Sequence, residues 1–83
     1  MKVNVRYFAS IREALGPGEV LELPAGATVA QARNQLIERG GLHSQVLARG
    51  RALRSALNQA LCDESAALAE GAELAFFPPV TGG

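Results

Sequence analysis

One cysteine, one histidine and no surplus of charge of either sign set the first limits on this chain. A lone cysteine, Cys62, excludes an intrachain disulfide and fits a reducing cytosol. A lone histidine, His43, has no Cys or carboxylate at ligand spacing. That speaks against a metal site, because three or four ligands must converge on one ion. Lys plus Arg number 8 and Asp plus Glu number 8, so the formal net charge is zero. Phosphate binding needs a basic surplus, which argues against nucleic acid as the main partner. No apolar run approaches the length of a membrane span. The opening Met1-Lys2-Val3-Asn4-Val5 alternates like a strand and lacks the apolar stretch of a signal peptide. These absences together predict a cytoplasmic protein with neither membrane nor nucleic acid as partner.

What is present is a folded-protein composition. Hydrophobic residues make up 48% and charged residues 19% of 83 positions. A chain this short buries about 60–65% of its unfolded surface, enough for one modest core. The expected organisation is one domain over 1–79 and an extended tail over 80–83.

Lys2 to Ala9 alternates, with Val3, Val5 and Tyr7 on one side and Asn4, Arg6 and Phe8 on the other, as in a half-buried strand. Ser10 with Glu13 is a capping-box pattern for a short helix that carries Ile11 and Leu15 on one face and ends at Gly16-Pro17. Glu19 to Leu23 reads as a second strand, hairpin-like to the first, with Leu21 and Leu23 inward. Thr28 with Gln31 is a second capping box and opens the main helix. Val29, Ala32, Leu36 and Ile37 form its apolar stripe, and Gln31, Asn34, Gln35 and Glu38 its wet side. Arg39 suits the last turn, and Gly40-Gly41 stops the helix. His43 to Ala48 forms a further short helix. Leu53 to Leu57 and Ala60 to Cys62 read as short strands broken at Asn58-Gln59. Glu70-Gly71 turns into a last strand, with Leu74 and Phe76 on one face and Ala75 and Phe77 on the other. The order predicts an α+β fold with a mixed sheet covered by one main helix. The first and last strands are the expected central neighbours.

The ending Phe76-Phe77-Pro78-Pro79-Val80-Thr81-Gly82-Gly83 carries the most information. Gly-Gly leaves an α-carboxylate on a tail with no side chains, able to thread a narrow channel. Pro78 and Pro79 stiffen the approach and favour an extended path. Nothing else in the chain supplies a base, a metal or an oxyanion hole. With no core contacts to anchor it, Val80 to Gly83 is expected to be mobile in the free protein.

The ending FFPPVTGG, the stretch Arg6-Tyr7-Phe8-Ala9-Ser10-Ile11-Arg12-Glu13-Ala14-Leu15-Gly16 and the run Leu57-Asn58-Gln59-Ala60-Leu61 resemble the molybdopterin synthase small subunits of the MoaD/ThiS sulfur-carrier family. The resemblance covers essentially the whole chain. It implies a β-grasp, ubiquitin-like fold. It implies that a partner of the ubiquitin-activating type uses ATP and magnesium to adenylate Gly83, next to Gly82. A sulfur donor then displaces AMP and leaves a thiocarboxylate. It also implies a large synthase subunit that binds the tail, a heterotetramer, and sulfur transfer to precursor Z. No cofactor is expected on the chain itself. Partner contacts implied by the resemblance are Phe8, Leu61, Phe77, Pro78, Pro79, Val80, Thr81 and Arg12. Arg12, Arg49, Arg51 and Arg54 could meet acidic groups on a partner. A sulfur carrier of another pathway, such as the thiamine type, shares the fold and the Gly-Gly. A ubiquitin-like modifier, joined through Gly83 to a lysine, also stays open.

Other polar residues read as structural. Cys62 lies on a strand beside Asp63 and Glu64, which would raise its pKa and blunt a nucleophile. His43 is expected near a helix start on the surface, and Asp63-Glu64 in a solvated turn. Gly16-Pro17-Gly18 and Gly40-Gly41 are loop punctuation, not phosphate-binding loops.

Overall fold

The computed structural model describes residues 1–79. The expected tail, 80–83, lies outside the described residues. Strand β1 (Lys2–Tyr7) alternates exposed and buried positions throughout, as its sequence requires. It pairs antiparallel with β2 (Gly18–Glu22) and parallel with β5 (Glu73–Phe77). β5 pairs antiparallel with β3 (Arg54–Leu57), and β3 with β4 (Ala60–Cys62). The sheet order is β2-β1-β5-β3-β4, with the first and last strands as central neighbours.

One face of this sheet is closed by α1 (Ala9–Leu15), α2 (Val29–Ile37) and α3 (Gly41–Val46). Val3, Val5 and Tyr7 of β1, Leu74 and Phe76 of β5, and Val29, Ala32 and Leu36 of α2 meet there in a single core. Leu21, Leu23, Leu47 and Leu68 complete it. Among the described residues no helix covers the other face.

Local chemistry sets the boundaries. The Thr28 hydroxyl accepts from the Gln31 amide, and the Gln31 side chain accepts from the Thr28 amide. That reciprocal pair satisfies two amides the first helical turn leaves free. The Ser10–Glu13 capping box does not form. The Phe8 amide extends the sheet by donating to the Phe76 carbonyl, and the Phe8 carbonyl accepts from Arg12. Phe8 is thus the N-cap, and Ser10 falls inside the first turn. Strand β2 starts at Gly18 and stops at Glu22, one residue earlier at each end than its sequence suggested. Any Cβ at Gly18 would overlap the Val5 carbonyl oxygen, so only glycine brings β2 this close. Helix α2 ends at Ile37, which leaves Arg39 beyond its last turn. Asn58 and Gln59 both take positive φ, 50° and 70°, as the two-residue loop of a tight hairpin between β3 and β4. Asn58 is fixed there by exchanging hydrogen bonds with the Glu73 backbone.

Candidate functional site: the open sheet face and the root of the tail

Strand alternation sends every second side chain to the uncovered face. Register aligns Arg6, Ala75, Ala56 and Leu61 in one row across β1, β5, β3 and β4. The next row places Phe77 opposite Arg54. Two alanines side by side form a low floor, and larger groups stand around it. A shallow groove of about 350 Å³ results, lined by Phe8, Ala56, Gln59, Glu73, Ala75 and Phe77. Phe8 is 38% exposed and Leu61 71% exposed, and Phe77 is half-buried. The Arg6 guanidinium lies 5.8 Å from the centre of the Phe8 ring and 3.7 Å from Glu73. It closes one side of the groove with a cation–π contact and an exposed ion pair. The structure therefore brings Phe8, Leu61 and Phe77 to one face, as the sequence suggested.

Half-buried Pro78 and Pro79 follow Phe77 directly. A smaller cavity of about 140 Å³ lies beside them, lined by Ser10, Ile11, Val46, Arg51, Ala52, Leu53 and Pro78. Arg12 is exposed on α1, and Arg51 and Arg54 are also exposed. The expected contacts Val80 and Thr81 and the expected reactive residues Gly82 and Gly83 lie outside the described residues.

Arg49 does not belong with these recognition candidates. Its guanidinium donates to Glu64, to the Asn34 side chain and to the Ala30 carbonyl, so it is a structural clamp. Glu64 is likewise not a solvated turn residue. It joins Arg49 to Arg33, whose Nη1 is 2.6 Å from Glu64 Oε2. Burial alone would raise the Glu64 carboxyl, but hydrogen bonds from Arg49 and Arg33 outweigh it and hold the pKa below its ordinary value. Arg33 is a buried charge that the sequence reading left unassigned. It is 4% exposed and donates from Nε to the Leu47 carbonyl and from Nη2 to the Ala48 and Arg51 carbonyls. A signal existed: Val29, Arg33 and Leu36 fall at i, i+4 and i+7, the spacing of a core stripe.

His43 lies near a helix start, as expected, but not on the open surface. It is the third residue of α3 and half-buried, with Nε2 3.0 Å from Glu19 Oε2. Tyr7 donates its hydroxyl to the same carboxylate at 2.7 Å, and Arg39 pairs with it as well. Burial alone would raise the Glu19 carboxyl, but these hydrogen bonds hold it below the ordinary carboxylate range. Burial and the Glu19 hydrogen bond push the Tyr7 phenol well above its usual value. Three residues, Tyr7 of β1, Arg39 after α2 and His43 of α3, converge here on one anion of β2, and they tie α3 to the sheet.

Cys62 is half-buried at the edge of the core. Burial, and then the Asp63 charge, push its thiol up. Asp63 itself accepts from the side chain and amide of Ser65, which closes a turn. Among the described residues no group of three or more His, Cys, Asp or Glu could hold a metal ion. No helix there is long and apolar enough to cross a membrane.

A mixed five-strand sheet with a helix packed across it after the first hairpin defines a β-grasp, ubiquitin-like domain. The chain belongs to the ThiS family, which it matches over residues 5–83. It is 38% identical over 81 residues to the molybdopterin synthase sulfur carrier subunit of Haemophilus influenzae, covering 98% of this chain and 99% of that one. The fold superposes with a TM-score of 0.77 on the small archaeal modifier protein 1 of H. volcanii, at 26% identity over 95% of this chain and 98% of that one. A chain in the complex of subunits 1 and 2 of the molybdopterin-converting factor from Helicobacter pylori matches with a TM-score of 0.70 and 26% identity. That match covers the whole of both chains.

Proposed function

We propose that this chain is the sulfur carrier subunit of a molybdopterin synthase. The observation that carries this reading is the likeness, over 98% of this chain, to a subunit so named in Haemophilus influenzae, together with a family match that runs through Gly83. The H. pylori complex of subunits 1 and 2 supports a large-subunit partner. The open face, with Phe8, Leu61 and Phe77 around an apolar groove, supplies a surface suited to such a partner.

In this reading an activating enzyme of the ubiquitin-activating type binds ATP and magnesium and adenylates the Gly83 carboxylate. A carboxylate is a poor electrophile because its charge is delocalised and oxide is a poor leaving group. Adenylation replaces that leaving group with AMP. A sulfur donor attacks the acyl carbon, AMP departs, and the resulting thiocarboxylate is a softer and stronger nucleophile. The large subunit receives the tail, and two successive thiocarboxylates give precursor Z the two sulfurs of its dithiolene. The carrier contributes docking through its open face and reach through Pro78 to Gly83. The chemistry at each step belongs to its partners, in the cytoplasm.

A ubiquitin-like modifier is the second reading, favoured by the likeness to the archaeal modifier protein. Mass spectrometry after incubation with Mg-ATP, the activating enzyme and a sulfur source separates the two. Exchange of oxygen for sulfur adds about 16 Da, nearly the same as oxidising Met1 or Cys62. The gain is therefore expected on the C-terminal peptide, where an alkylating agent traps it. Gly83 joined instead to lysines of other proteins would establish a modifier. Deleting Gly83 should abolish synthase activity without unfolding the domain, and full activity in that variant would sink the carrier reading.

A further inference from the structure

We infer that the open sheet face also pairs with a second copy of this chain, in a weak two-fold dimer that covers the groove until the large subunit displaces it. The dimer does not depend on the proposed function; only its displacement does.

A face that meets its own copy across a two-fold axis must be complementary to itself. A lone charge works against that, because it meets its like. Here Arg6 and Glu73 stand side by side on the open face, 3.7 Å apart. A two-fold axis lying in the interface between them sets Arg6 of each copy opposite Glu73 of the other. Two pairs within the chains then become two pairs across the contact. The guanidinium has donors to give, because 3.7 Å is longer than a hydrogen bond. Formal net charge is zero, so two copies approach without mutual repulsion.

The apolar residues follow the same axis. Arg6 shares a row with Ala75, Ala56 and Leu61, and Glu73 is in register with Asn4. With strands about 4.8 Å apart and residues about 3.4 Å apart, the rotation carries Phe77 of one copy over the Ala56–Leu61 side of the other's groove. Ala56 and the exposed Val20, which is in register with Asn4, fall near their own counterparts. The apolar half of each face thus covers the apolar half of the other.

Size keeps the contact weak. Five strands at that spacing and about five residues long span roughly 20 by 17 Å. A stable complex buries about 800 Å² on each partner, and this face offers less. A dissociation constant on the order of tens of micromolar suits such an area. The dimer therefore shields Phe8 and Phe77 in the free chain and yields the face to a tighter partner.

Analytical ultracentrifugation of the full chain, from about 10 µM to 1 mM, tests this with a charge exchange. Arg6→Glu leaves acids at both positions, and Glu73→Arg leaves bases at both. Each variant alone should self-associate about tenfold or more weakly than wild type. Their equimolar mixture should dimerise again, acidic chain against basic, and so should the double variant Arg6→Glu/Glu73→Arg. Circular dichroism should show every variant folded, since an exposed ion pair contributes little to stability. A wild-type chain that stays monomeric throughout, single variants that dimerise like wild type, or a mixture no tighter than its components would overturn the dimer. Added large subunit should split it, and a large subunit that binds the intact dimer would overturn the shared face. Sulfur loading of Gly83 is read separately. A monomer that loads sulfur would overturn the dimer and leave the carrier reading standing, whereas a dimer that never loads would do the reverse.

Discussion

Replacing Arg33 with Met keeps an unbranched apolar stem and removes every polar contact the side chain makes. Three backbone carbonyls, of Leu47, Ala48 and Arg51, lose a donor, and Glu64 loses one of its two cations. Breaking a fully buried pair costs about 3–5 kcal/mol, and each orphaned buried acceptor about 1–3 kcal/mol. Two features soften this. Glu64 keeps Arg49, and only the Leu47 carbonyl belongs to a fully buried residue. A net loss of about 2–4 kcal/mol follows. A domain of this size has about 4–12 kcal/mol in all, so the loss is a large share of it. Urea denaturation at neutral pH reads it directly. With a slope near 1 kcal/mol/M, the midpoint should fall by roughly 2 M or more. Arg33→Lys should recover little, because one ammonium cannot reach Leu47, Glu64, Ala48 and Arg51 from a single point. A loss below about 1 kcal/mol in the Met variant, or a Lys variant as stable as wild type, would refute the argument that the planar fork organises this loop.

Further outcomes are specific. Phe77→Ala should weaken binding to the large subunit by about tenfold or more with the fold intact, since central aromatic anchors dominate such interfaces. Calorimetric titration would show this, and unchanged affinity would remove the open face from the docking surface. Gly18→Ala should cost about 1–3 kcal/mol in thermal or urea unfolding, because β2 must back away from the Val5 carbonyl. Stability should fall in acid: Glu19 and Glu64 have depressed folded pKa values, so their contribution is present above the unfolded carboxylate pKa and is lost as pH drops through the lower folded one. Glu19→Gln and Glu64→Gln should each flatten that acid limb, and an unaltered pH profile would show that the networks do not carry it. Cys62→Ala should retain sulfur transfer in the reconstituted synthase, and the native thiol should alkylate slowly at neutral pH, because burial and Asp63 keep it protonated.

Much of the fold was legible because it rests on local periodicity. Alternation placed Val3, Val5 and Tyr7 on the covered face, and Phe8 and Phe77 on the open one. Thr28 with Gln31 announced the main helix because a capping box uses residues three apart. The ending FFPPVTGG stands out along the chain, and its last four residues lie outside the described ones. What the sequence could not decide depends on contacts between distant segments. Ser10 looked like a cap until Phe8 paired with Phe76 and took the helix start. Arg33 and Glu64 stand 31 positions apart, and His43 and Glu19 stand 24 apart. No window of neighbouring residues shows that these side chains meet. The same holds for the arginines. Seven of them look alike along the chain, and only tertiary structure shows which four find carboxylate partners among the described residues. Local patterns specify which face a residue takes, whereas charge pairing is settled when folding brings the partners within reach.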